Sequence, residues 1–225
     1  MVEFMNGLPK IGLRYLGTMV DWGGFVVLTN SLRPVNSKKD FEGMRVRTEE
    51  NPSHMAVMNA MGASATPMPW GDVATALATK VAHAQFNAPL VIADNHLWDI
   101  QKYVSETNHI YNTLQWLVSD KWFKRQSQEH QEAILRAAKE AILYSRALAV
   151  HLNIGAVIES QKHGMVWNTL KPEALAELRQ LSQAGYRTWA VEDYGLPASL
   201  LDAVKNEVDR LYKANGQSLA NKYGS

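Results

Sequence analysis

The spacing of apolar residues changes period along this chain, and each change marks an element. Residues 11–17, IGLRYLG, and 22–30, WGGFVVLTN, read as strands, with Gly23 and Gly24 at a bend. Residues 37–41 give one helical turn. From 44 to 90, the β-like pieces MRVR, ATPMPW and VAHAQF alternate with the helix-like pieces PSHMAVMNAMG and GDVATALATK. Asn51 followed by Pro52 reads as an N-cap with proline at the first helical position, and Gly62 sits where a helix stops. Asp72 falls in the first turn of the second helix, where the helix dipole favours negative charge. Residues 88–100 predict a short helix or loop, and 102–120 one or two strands broken near Thr107 and Asn108. After a helical turn at 121–125, Ser127 caps a long helix. Ile134, Ala137, Ala138, Ala141, Ile142 and Leu148 give its apolar period. Carried to about Gln161, it would run ~50 Å at roughly 1.5 Å per residue. Residues 167–182 predict another helix, started by Lys171 and Pro172. GYRTWAV, 185–191, alternates like a strand, 197–214 is an amphipathic helix, and the tail NGQSLANKYGS reads as loose helix or coil.

Strands separated by crossover helices predict an α/β fold with a parallel sheet. Ligands of such sheets sit at the carboxyl ends of the strands. Arg47, Trp70 and Asn87 each fall at or just past such an end. One small ligand could touch a guanidinium, an indole and a carboxamide there.

Composition narrows the function classes. The chain has 225 residues and a formal net charge of +1, so no strong field draws it to nucleic acid or acidic membrane. It has no cysteine, which excludes disulfides, thiol catalysis and zinc–thiolate sites. No apolar run looks long enough to span a bilayer, and MVEFMNGLPK has no secretory-signal pattern. The histidines form no HExxH pair, so a metal site has little support, and no cofactor motif appears. There is no G-x-S-x-G elbow, P-loop or G-x-G-x-x-G. His83 reads as structural, and Met55, Met58, Met61 and Met68 as core.

The motifs GMRVR, MGASATPMPWGDVATALAT and AQFNAP, in that order and spacing, resemble the DctP-type solute receptors of TRAP transporters. The segment Ile100-Gln101-Lys102-Tyr103, with Thr107-Asn108-His109, is similar to a further element of that family. In the third motif, His83, Ala84, Phe86 and Ala88 depart from the family's D-G-x-E-N-P. The resemblance covers nearly all of this chain but only the later part of the family.

It implies a periplasmic-binding-protein-like, type II-like two-lobe fold with a long spine helix and an incomplete first lobe. Residues 11–108 would form an α/β lobe carrying the ligand site, and 109–127 a crossover strand and part of the other lobe. Residues 128–161 would be the spine, and 162–225 helices and a strand packed across the lobes. The implied function is a periplasmic receptor for a small carboxylate-bearing solute, working with TRAP membrane subunits, without catalysis, metal or cofactor. An incomplete lobe would expose sheet edge and apolar surface and invite pairing with another copy. The rival readings are a transport-inactive structural or interaction module and an α/β enzyme.

The resemblance puts the family's carboxylate-clamping arginine at Arg47. A guanidinium fork suits a carboxylate, although a surface arginine paired with Glu49 or Glu50 is the plainer alternative. Asn87 can donate and accept, or simply serve a turn. Trp70 offers a wall or core packing. Gln85 and Phe86 flank the same strand end, where Phe86 makes the pocket more apolar. Phe25 falls near a position where some family members carry a second pocket arginine. Arg45 is expected to face solvent.

Overall fold

The computed structural model describes residues 7–214, with side chains undescribed at 20–24, 212 and 214. The tail predicted as loose helix or coil lies outside the described residues. The strands are β1 (Leu13–Phe25), β2 (Val27–Asn30), β3 (Arg45–Thr48), β4 (Ser64–Pro67), β5 (Ala84–Asn87), β6 (Tyr103–Ser105), β7 (Tyr111–Ser119) and β8 (Val166–Asn168). The α-helices beyond residue 7 are α1 (Pro52–Ala60), α2 (Trp70–Ala78), α3 (Pro89–Asp94), α4 (Asp120–Lys124), α5 (Gln128–Lys162), α6 (Pro172–Thr188) and α7 (Ala198–Ala214).

The chain divides into two compact units. Among the described residues, one holds 7–26, 88–95 and 110–160; the other holds 27–87, 96–109 and 161–214. In the first, β1 pairs antiparallel with β7 from Leu13 opposite Ser119 to Phe25 opposite Tyr111, with irregularities at Tyr15/Gly17 and Val20/Phe25. Residues 13–25 are therefore one long strand rather than the ends of two. Arg14 and Lys124 both pair with the buried Asp120 at the start of α4. Ser127 accepts from His130 N and caps α5 as its sequence predicts. The buried residues of α5 in this unit include Ala138, Ile142, Ala149 and Ala156, whereas Leu143, Tyr144, Val150, Ile154 and Ile158 are exposed. By length and composition alone α5 could cross a membrane, a correction to the expectation that no stretch could. Between Ala141 and Ile158 only Arg146 and His151 among the acidic and basic side chains interrupt it, and Arg146 donates to the Thr18 carbonyl.

The second unit is built on a six-stranded sheet of order β4-β3-β5-β2-β6-β8. β3 runs parallel to both β4 and β5, and β6 parallel to β8, but β2 is antiparallel to β5 and β6. The predicted parallel sheet is thus mixed, because β2 enters the sheet from β1 without a crossover helix. Asn51 caps α1 by accepting from Ser53 N, and Pro52 begins the helix. Gly62 follows with φ +97°, a left-handed conformation that glycine adopts without a Cβ clash. Leu28, Met44, Val46, Met58, Met61, Leu77 and Val104 are fully buried. Met68 packs against the small cluster of Val73, Ala76, Leu77 and Ala82.

The predicted strand at 185–191 is a correction: these residues continue α6 and pass into a wider-wound turn, Trp189–Asp193. Gly185 lets that helix lie close on α1. A Cβ there would lie 2.5 Å from Ala60 Cβ and 2.8 Å from the Ala56 carbonyl oxygen of α1.

Candidate functional site

Arg47 and Gln85 are register partners on the adjacent parallel strands β3 and β5. Partners directly across a ladder share a sheet face, and so do residues two apart on one strand. Arg47, Gln85 and Asn87 therefore occupy one face near the carboxyl ends of neighbouring strands, and Asn87 ends β5.

Arg47 is 3% exposed. Its Nε and Nη2 donate to the Met68 carbonyl at 3.2 and 3.1 Å, which fixes the guanidinium plane. Nη1 lies 3.6 Å from Glu49 Oε1, beyond a normal hydrogen bond. The guanidinium carbon stands 5.4 Å from the centre of the Trp70 ring, and Trp70 begins α2 with 41% of its surface exposed. Burial lowers the Arg47 pKa from its usual value, partly offset by Glu49. The plainer reading of Arg47 as a partner of Glu49 is thus half right: the contact exists, but the arginine is buried and its firmer hold is a backbone oxygen. Arg45 is exposed as expected, and donates from Nε to the Val81 carbonyl.

Gln85 is fully buried. Its Oε1 accepts from Asn87 Nδ2 at 2.7 Å, and its Nε2 donates to Thr29 Oγ1 at 2.9 Å. Thr29 donates in turn to Gln101 Oε1. This relay leaves Asn87 with its Oδ1 and its second amide hydrogen outside the hydrogen bonds described.

Phe86 is 2% exposed and belongs to the opposite face of β5. Its ring meets His54 edge-on at 5.6 Å and His109 at 5.0 Å. His54 Nδ1 is 2.8 Å from Glu49 Oε2. The His109 Nδ1 bonds Thr107 Oγ1 at 2.7 Å, while its Nε2 is enclosed and unpartnered among the described residues. Burial, with His54 nearby, pushes the His109 pKa down to about 3, against a smaller opposing pull from Glu49. Glu49 is held below the usual carboxylate range: its hydrogen bond from His54 leads the favourable contributions, which together outweigh the cost of burial.

Phe25 ends β1 in the other unit, where its ring packs edge-on against Tyr111 at 4.8 Å. The sequence reading named Glu49 as a partner of Arg47 but missed His54 and His109 as neighbours of the site. A usable signal existed for His109, which closes the Thr107-Asn108-His109 segment; nothing in spacing alone links His54 to Arg47. His83 is structural as read: its Nδ1 accepts from Arg45 N.

Residues 3–193 match DctP, bacterial extracellular solute-binding protein, family 7. The chain belongs to this family. The family 7 chain is 34% identical to the 2,3-diketo-L-gulonate-binding periplasmic protein YiaO of Escherichia coli over 125 residues, 56% of this chain and 38% of that protein. It is 29% identical to the sialic acid-binding periplasmic protein SiaP of Vibrio cholerae over 133 residues, 59% of this chain and 40% of that one. A solved TRAP periplasmic solute binding protein from Ochrobactrum anthropi, with its C-terminus bound in the ligand-binding pocket, matches with a TM-score of 0.84 at 30% identity. That match covers 100% of this chain and 68% of the solved one. The chain spans about half or less of the length of the curated relatives it matches, from 49% of a Haemophilus influenzae protein to 24% of the Sinorhizobium fredii protein y4mM. The fold is the two-lobe periplasmic-binding type with a long helix, and the named relatives are solute-binding receptors rather than enzymes.

Proposed function

We propose that this chain carries the ligand-gripping part of a receptor for a small organic acid serving a TRAP transporter outside the cytoplasmic membrane. Arg47 would take the ligand carboxylate through Nη1 and the second Nη2 hydrogen, because Met68 occupies its other edge. Asn87, held by Gln85, would fix the ligand's orientation, and Trp70 would form a wall. Gln85 acts through Asn87, while Phe86, on the opposite face of β5, stands outside this arrangement.

The observation that carries this reading is the placement of Arg47 and Asn87 on one sheet face, at neighbouring strand ends, with an indole against the guanidinium. Relatives named for diketogulonate and sialic acid support an acid as the solute. The implied partners are the membrane subunits of the transporter. Affinity would come from preorganised charge-assisted hydrogen bonds, with no covalent step.

One observation favours a second reading, a transport-inactive module. Arg47 is almost fully buried and already engaged by Met68 and Glu49, as a purely structural arginine would be. A thermal-shift screen against sugar acids, keto acids and hydroxy acids separates the two. Stabilisation by at least one acid, absent with its neutral alcohol analogue, supports the receptor. No shift with any acid supports the module.

A further inference from the structure

We propose that Glu49 and His54 form a proton-linked counter-charge for Arg47, so that the acid ligand binds together with a proton. This rests on the reading of Arg47 as the partner of the ligand carboxylate. Glu49 follows Arg47 by two residues, and Oε1 approaches Nη1 to 3.6 Å. The other oxygen, Oε2, accepts from His54 Nδ1 at 2.8 Å. His54 lies in the first turn of α1, whose start the Asn51 cap fixes.

The guanidinium therefore already has an internal carboxylate beside it. A ligand carboxylate at the same cation would place two negative groups on one buried positive charge. Like charges crowded together raise the affinity of the site for a proton. The hydrogen-bonded Glu49–His54 pair is placed to take it, because one added proton turns the pair from negative to neutral beside Arg47.

The remaining groups around the pair do not compete for this proton. His109, whose ring also meets Phe86 edge-on, is held neutral down to about 3. Gln85 and Asn87 on β5 are neutral, and Glu50 and Asp72 at this end of the sheet are exposed. Arg47 stays charged.

The sign follows from the proton balance. The complex holds more protons than the separated partners, so affinity rises as pH falls, by up to tenfold per pH unit where one proton is fully taken up. Glu49→Gln removes the internal negative charge and keeps an oxygen for His54. That variant binds the acid without proton uptake, and its affinity is flat with pH. His54→Gln takes the imidazole out of the pair and abolishes the uptake by a different route.

The test is titration calorimetry of the full chain with D-galacturonate and 2,3-diketo-L-gulonate as probes, between about pH 5.5 and 8. Buffers of different ionisation enthalpy give the proton count directly. Uptake approaching one proton in the wild type, lost in both variants, supports the proposal. Binding with no measurable uptake in the wild type, or with the same uptake in Glu49→Gln, overturns it and leaves the Arg47 reading standing. Failure of these probes and of every acid in the screen to bind overturns the Arg47 reading and the proposal together.

Discussion

Replacing Arg47 by lysine keeps the positive charge and removes the fork. In the wild type, Nε and Nη2 grip the Met68 carbonyl at 3.2 and 3.1 Å, leaving Nη1 and one Nη2 hydrogen for a ligand. A lysine ammonium is a single point with three donors on a flexible stem, so it can serve Met68 or the acid well, but not both. The loss is about one charge-assisted hydrogen bond, roughly 1.5–3 kcal/mol. That corresponds to an affinity weaker by about 10- to 150-fold at 25 °C. Calorimetric titration with an acid found by the thermal-shift screen measures it. Unchanged far-ultraviolet circular dichroism confirms that the variant folds. A loss below about threefold, under 1 kcal/mol, would refute the two-point clamp.

Other consequences can be checked alongside. Asn87→Asp sets a carboxylate beside the ligand's own and turns a donor toward Gln85 Oε1 into an acceptor; acid affinity should fall by about tenfold or more, and titration showing less would remove Asn87 from the site. His109 has a folded pKa of about 3 against an ordinary value of 6.5, so it stabilises the fold fully only above about pH 6.5; that stability is lost as pH falls, by up to about 1.4 kcal/mol per unit, until about pH 3. His109→Asn retains an amide near the Thr107 hydroxyl, and its urea midpoint should decline less steeply on acidification; equal slopes would contradict the buried-neutral histidine. Gly185→Ala gains about 1 kcal/mol of helix propensity but forces a Cβ against Ala60 and the Ala56 backbone. Overpacking of about 1–3 kcal/mol should prevail and lower the Tm, and a raised Tm would show that the α1–α6 crossing can open.

Much of the site's geometry was readable before the fold. Asn51-Pro52 and Ser127 announce helix starts because capping is local chemistry, decided within a few residues. The end of each strand in the 44–90 stretch follows from where those helices begin, which is why Arg47 and Asn87 could be set at neighbouring tips. What stayed hidden depends on contacts distant in sequence. Tyr186, Thr188, Trp189 and Val191 carry strand-like preferences, yet they belong to a helix and its terminal turn, because Gly185 lets α6 lie close on α1. Tertiary packing there overrides local propensity. The antiparallel insertion of β2 between β5 and β6 leaves no trace in its own alternation. The same limit hid the second half of the Arg47 environment. The Met68 carbonyl reaches the guanidinium only because β4 pairs with β3 in one register, and His54 reaches Glu49 only across the turn into α1.

The central claim is that a carboxylate sits on the outer edge of the Arg47 guanidinium with the Asn87 amide beside it. The most direct measurement is a crystal structure of the chain with the tightest-binding acid from the screen. The account predicts carboxylate oxygens about 2.7–2.9 Å from Arg47 Nη1 and Nη2, with Asn87 Nδ2 or Oδ1 bonded to the same molecule. A bound acid lying elsewhere, with Arg47 still held only by Met68 and Glu49, would contradict it.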